Sequence, residues 1–87
     1  MNVRELYVAR AKSLVKELRE DKRVSYEELA RRLVAYGVRM ETQALINRIN
    51  RGSFTFAFAL QVLAALGVKS IDIPQLGQRK PASPAER

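Results

Sequence analysis

The sequence predicts an all-α domain of four helices followed by a short extended segment. Apolar residues recur at steps of three and four through the first twenty positions, the spacing of one helix face. Cap residues and glycines then punctuate the chain at intervals that suit three more helices, and alternation of period two appears only after Gly67. A chain of 87 residues supports a single core. We place the folded domain at 1–74 and a disordered basic tail at 75–87, where Gly77, Pro81, Ser83 and Pro84 stand among Gln, Arg and Lys.

The first helix is expected over about 4–20, with Val3, Tyr7, Ala11, Leu14, Val15 and Leu18 inward and Arg4, Glu5, Arg10, Lys12, Lys16, Glu17 and Arg19 outward. The charged run 19–23 lacks an apolar anchor, so the chain turns there. Ser25 with Glu28 matches a capping box, in which each side chain satisfies a free backbone N–H, and Val24 with Leu29 suits a hydrophobic staple. The second helix then buries Tyr26, Leu29, Ala30 and Leu33 and runs to Tyr36, where Gly37 supplies a left-handed residue and Val38 folds back.

Thr42 is the expected cap of a third helix, 43–51, closed by Gly52, with Leu45, Ile46 and Ile49 on its apolar side. Ser53 is the expected cap of a fourth, from Phe54 to Leu66, in which Thr55 and Gln61 are the only polar residues. So apolar a helix must be covered all round, by the other helices or in part by a second copy of the chain. Phe54, Phe58 and Val62 share one side of it and Phe56, Leu60 and Leu63 the other, which suggests one core face and one dimer face. The segment 68–73, ended by Pro74, reads as one short strand whose natural partner is its equivalent in a second protomer. The expected dimer interface is therefore Phe54, Phe56, Phe58, Ile71 and Ile73.

Composition narrows the function. Sixteen Lys plus Arg against nine Asp plus Glu give a net charge of +7, which favours polyanionic partners through counterion release. Eleven of those cations are arginine, whose planar fork suits phosphates and guanine edges. The absence of cysteine removes disulfides and thiolate metal sites and fits a reducing, cytoplasmic setting; no cofactor or metal is expected, and a DNA-binding role would make the protein nucleoid-associated. Neither a membrane-spanning run nor a signal peptide is expected. With no His or Cys, and with Glu27 and Glu28 pointing about 100° apart on a helix, an enzyme is not expected.

The third helix carries the constellation of interest. Gln43, Ala44, Asn47, Arg48 and Arg51 fan out opposite Leu45 and Ile49, with Asn50 at the margin and no carboxylate among them. Asn and Gln match adenine bidentately, Arg matches guanine, and an alanine methyl can touch that of thymine. Such a helix behind a capped second helix and a turn makes a helix-turn-helix arrangement, in which the reading helix enters the major groove of double-stranded DNA. Lys22, Arg23, Arg31, Arg32 and Arg39 flank it as expected phosphate contacts.

The segments Val24-Ser25-Tyr26-Glu27-Glu28-Leu29-Ala30, Gln43 to Gly52 and Ala64-Ala65-Leu66-Gly67-Val68 resemble the lambda-repressor-like (Cro/repressor, or XRE) helix-turn-helix family over about residues 10–70. The resemblance implies a compact bundle, usually a dimer on a two-fold operator, with reader positions at Gln43, Ala44 and Asn47. It also implies phosphate contacts near Tyr26, which stands where that family opens its second helix with glutamine, and near Thr42. The interval from Ala30 to Ile46 is several residues longer than that family's tight turn. The phrase Arg51-Gly52-Ser53-Phe54-Thr55-Phe56-Ala57-Phe58, with Gln61 after it, is closer to a small bacterial family of unknown function with an "R-G-x-F…F…Q" signature, which implies a similar core and no assigned activity.

The expected function is therefore sequence-specific DNA binding by a transcriptional regulator acting as a homodimer. The principal alternative is a protein-interaction adaptor, antitoxin-like or regulatory, that uses the apolar fourth helix. RNA binding ranks lower because no aromatic platform stands among the basic residues.

Overall fold

The computed structural model describes residues 2–76. Four α-helices carry the chain: α1 Val3–Asp21, α2 Tyr26–Leu33, α3 Thr42–Arg51 and α4 Phe56–Ala65, with a 3-10 turn, Val34–Tyr36, continuing α2. Among the described residues there is no strand, so the segment expected to be one stands unpaired. An isolated strand has no ladder of hydrogen bonds to hold it.

Local chemistry sets the helix ends. Asn2 starts α1 through a complete capping box, its Oδ1 accepting from Glu5 N–H at 2.8 Å and its own N–H donating to Glu5 Oε1 at 3.2 Å. At the other end the N–H groups of Arg23 and Val24 donate back to the carbonyls of Glu20 and Arg19, with Arg23 in the left-handed region at φ 57°. The same closure, at Gly37 (φ 90°), folds Val38 back onto Leu33 as expected.

Three expected caps need correction. Ser25 accepts from Glu28 N–H at 3.0 Å, but the Glu28 carboxylate engages Arg31 and Arg32, so only half of that box forms. Two guanidiniums outbid one backbone N–H for the same carboxylate. The N-cap of α3 is Glu41, with Thr42 already helical. Thr55, not Ser53, caps α4 by accepting from Phe58 N–H at 3.0 Å, which leaves Phe54 in the lead-in, its ring 5.7 Å from that of Phe58. Starting α4 two residues later lets both rings enter the apolar interior.

That interior is built from pairs one helical turn apart: Leu29 and Leu33 on α2, Leu45 and Ile49 on α3, Phe58 and Val62 on α4, all essentially without solvent exposure. α2 is the central element, packing on both α3 and α4, whereas α1 lies against α3 and contributes Val15 as its only buried residue. The apolar α4 is therefore not wrapped all round: Phe56 remains 78% and Leu60 51% exposed. Arg19, expected on the outer side of α1, instead folds over the α1–α2 corner. Its guanidinium lies 4.0 Å from the Tyr26 ring centre and donates to the Val24 carbonyl at 2.8 Å. Of the residues assigned to the tail, Gln75 and Leu76 are described: the Tyr7 hydroxyl donates to the Pro74 carbonyl at 3.3 Å and accepts from Leu76 N–H at 2.9 Å. Residues 77–87 lie outside the described residues.

Gly52 sets how closely α3 approaches α1. It sits at φ 71°, and a Cβ there would stand 2.5 Å from the Val8 carbonyl oxygen. Gly67 has a similar φ of 80° with open space around it. Gly52→Ala is therefore expected to lower stability by about 2–4 kcal/mol and Gly67→Ala by about 1 kcal/mol. Urea denaturation followed by circular dichroism separates the two, and equal losses would show that the close approach contributes nothing.

Candidate nucleic-acid interface

Burial of Leu45 and Ile49 on α2 determines which side of α3 faces solvent. Gln43, Ala44, Asn47, Asn50 and Arg51 are exposed, Thr42, Ile46 and Arg48 half-buried. No acidic residue lies within α3, and its last turn carries Arg48 and Arg51, where cations complement the helix dipole. Glu41, at the N-cap, stands at the opposite, positive end. The outward side thus presents amides, one methyl and a guanidinium, a donor-rich surface without fixed negative charge.

The nominated side chains are not equally free. Gln43 Nε2 donates to Asn47 Oδ1 at 3.0 Å, joining the two amides across one turn. The Arg48 guanidinium lies 4.0 Å from the centre of the Phe58 ring, a cation–π contact that ties α3 to the start of α4. Arg48 is thus held apart from the other outward side chains, because an aromatic ring in the neighbouring helix receives the flat, apolar face of its guanidinium. Arg51 makes no ion pair among the described residues.

The flanking cations divide in the same way. Arg31 and Arg32 both pair with Glu28, the second at 2.9 Å, and Arg32 also donates to the Ala65 carbonyl at 3.2 Å. Two cations sharing one carboxylate keep a net positive charge, but Arg32 has a structural duty besides, closing the last turn of α4. The Tyr26 ring is half-buried under Arg19, so its face is occupied. Lys22, Arg23 and Arg39 are exposed and make no ion pair among the described residues. Thr42 is half-buried at the first turn of α3.

The second surface of note lies on the outer side of α4. Phe56, Leu60, Leu63, Ile71 and Ile73 line an open apolar groove of about 450 Å³, with Lys69 as the one charged side chain among the described residues that line it. Phe58, expected at a dimer contact, is 2% exposed and belongs to the core, because its position on α4 turns it toward α2 and α3. Phe54 is half-buried against that core. Of the five residues expected there, Phe56, Ile71 and Ile73 face solvent.

Sequence reasoning missed Arg19 and Gln61. Gln61 Nε2 donates to the Tyr36 carbonyl at 2.9 Å, satisfying the end of the 3-10 turn before Gly37. A lone glutamine in an otherwise apolar helix is the signal that was available, since a polar group on such a helix needs a partner. Among the described residues no cluster of carboxylates suited to a metal ion occurs, and no helix is long and apolar enough to cross a membrane.

The two kinds of α3 side chain should respond differently to truncation. Arg48→Ala is expected to reduce stability by about 0.5–1 kcal/mol through loss of the contact with Phe58, while Asn47→Ala stays within about 0.5 kcal/mol of the parent. Thermal unfolding of the two variants checks this, and a cost confined to Asn47→Ala would reverse the assignment.

No curated protein and no solved structure matches the chain. Residues 7–71 match the model of a family described as a domain of unknown function (DUF6471). That span takes in all of α2, α3 and α4 with most of α1 and the first residues after α4, and the chain belongs to this family.

Proposed function

We propose that the protein is a small helix-turn-helix regulator that binds double-stranded DNA sequence-specifically, with α3 in the major groove. The observation that carries this reading is the outward side of α3: exposed Gln43, Ala44, Asn47 and Arg51 on a helix without a carboxylate. A helix of these ten residues is about 15 Å long, and the major groove, about 12 Å wide, admits a helix lengthwise. Lys22, Arg23 and Arg39 are the cations best suited to neutralise phosphates alongside, with Arg31 as a weaker contributor because it shares Glu28. The net charge of +7 supports the same partner.

In this reading the active species is a homodimer joined through the outer side of α4 and the segment 69–73. A two-fold axis brings each surface against its own copy, so like charges would meet across it. On a chain this cationic, self-association is favoured at a face poor in charge: α4 contains no charged residue, and the segment 69–73 adds Lys69 and Asp72, which are of opposite sign. The same exposed Phe56 and the groove beside it favour a second reading, an adaptor that captures another protein. The two part on DNA: an adaptor binds duplex weakly and without sequence preference.

Duplex binding measured by mobility shift should weaken steeply with salt, by about 10-fold or more between 50 and 200 mM for a protein contacting several phosphates. Asn47→Ala combined with Arg51→Ala should abolish specific binding while the helical circular dichroism stays intact. Unaltered binding by that folded double variant would remove α3 from the role of reader. Light scattering at micromolar concentration should report a dimer, converted to monomer by Phe56→Asp. A monomeric parent protein would refute the two-fold arrangement.

A further inference from the structure

The contacts within α3 distinguish which side chains discriminate between bases. Of the long side chains on its outward side, Gln43 is bonded to Asn47 at 3.0 Å and Arg48 is held against the Phe58 ring at 4.0 Å. Asn47 lies four residues after Gln43 and Arg51 four after Asn47, along one stripe of the helix, and both remain exposed.

We propose that Asn47 reads adenine, that Arg51 reads a guanine about two base pairs away, and that Gln43 is a positioning residue that sets the orientation of the Asn47 amide. This rests on the duplex-binding reading above and narrows it to a base pattern.

An asparagine amide has a donor edge and an acceptor edge, and rotation by half a turn exchanges them. The bond from Gln43 Nε2 points Asn47 Oδ1 toward the N-terminal end of α3 and so Nδ2 toward the C-terminal end. One lone pair of Oδ1 is taken by Gln43, and its second lone pair remains, together with both N–H donors of Nδ2. That remainder matches the major-groove edge of adenine, where Oδ1 accepts from the N6 amino group and Nδ2 donates to N7. Guanine presents two acceptors, N7 and O6, so the same fixed amide would set Oδ1 against O6 without a proton between them. A freely rotating Asn would discriminate less, because it could turn both N–H donors toward that edge.

Arg51 has no acceptor and offers a fork of donors, which fits guanine O6 and N7. Four residues separate it from Asn47, a rise of about 6 Å along the helix. Base pairs stack at about 3.4 Å, so a helix lying along the groove addresses positions about two apart. Arg48 takes no part in discrimination, since reaching a base would require leaving the Phe58 face.

Selection of bound duplexes from a random pool, using the full chain and its variants, tests the proposal. The parent protein should enrich an adenine with a guanine about two base pairs away. Asn47→Ala should lose the adenine preference by about 10-fold or more and Arg51→Ala the guanine preference by a similar factor. Gln43→Ala should weaken selection at the same base pair as Asn47→Ala, and the variant lacking both should be no worse there than Asn47→Ala alone, as for residues acting as a unit. Arg48→Ala should leave the pattern unchanged. If Gln43→Ala and Asn47→Ala affect different base pairs additively, Gln43 is itself a reader and the positioning role is wrong. If duplexes are enriched without an adenine that depends on Asn47, the base assignment is wrong while DNA binding stands. If nothing is retained even at low salt, the underlying reading of α3 fails with it.

Discussion

Burial of Leu45 and Ile49 is the constraint on which the rest of the molecule depends. They lie one turn apart on a ten-residue helix and both are without solvent exposure, so α3 has no freedom to rotate about its axis. Leu29 and Leu33 meet them from α2, and Phe58 and Val62 complete the same apolar interior from α4. Burying each such side chain contributes about 1.5–3 kcal/mol, an amount comparable with a large part of the stability of a small domain. Turning α3 by one residue would expose Leu45 and Ile49 and bring Ala44 with Arg48, or Ile46 with Asn50, to the inner side, burying a charge or an amide in their place. The polar side therefore faces outward as a consequence of packing, whatever use is made of it.

The arginines show how one residue type serves different purposes within a single short chain. Arg19 stacks on Tyr26 and bonds the Val24 carbonyl, its Nε buried without a partner, so that the corner between α1 and α2 is closed by a cation. Arg32 closes the end of α4 and Arg48 leans on Phe58. A guanidinium is apolar on its faces and a donor around its edge, which lets it cover an aromatic ring while still satisfying a carbonyl. Arg23, Arg39 and Arg51 are left at the surface without ion pairs among the described residues. Net charge alone overstates what is available to a polyanion, because part of it is committed to holding the helices together.

In the phrase running from Arg51 to Gln61, the glycine, two of the phenylalanines and the glutamine each have a structural explanation. Gly52 permits the backbone of α3 to meet that of α1 at Val8, Phe54 and Phe58 fill the interior from either side of the Thr55 cap, and Gln61 satisfies the carbonyl of Tyr36. These roles concern the joining of α3, α4 and the turn after α2. The outward residues of the same helix, Phe56 and Leu60, play no part in that joining, and with Ile71 and Ile73 they leave an apolar surface on an otherwise cationic protein.

The residue pattern alone determined that the chain is all helical, that four helices follow one another, and that Leu45 and Ile49 face inward opposite Gln43 and Asn47. Those features depend on the 3.6-residue period and on left-handed closures such as Gly37, which act within a few residues. Helix starts were less legible: Ser53 and Thr55 are equally good caps in sequence, and the choice fell to Thr55 because it sends both Phe54 and Phe58 into the core. Tertiary structure alone decided that Arg19 and Arg48 would lie on aromatic rings, that Phe58 would be core rather than surface, and that Tyr7 would hold Pro74 and Leu76. Each of these contacts joins side chains on different elements, and no periodicity along the chain records which neighbour a folded helix will bring within reach.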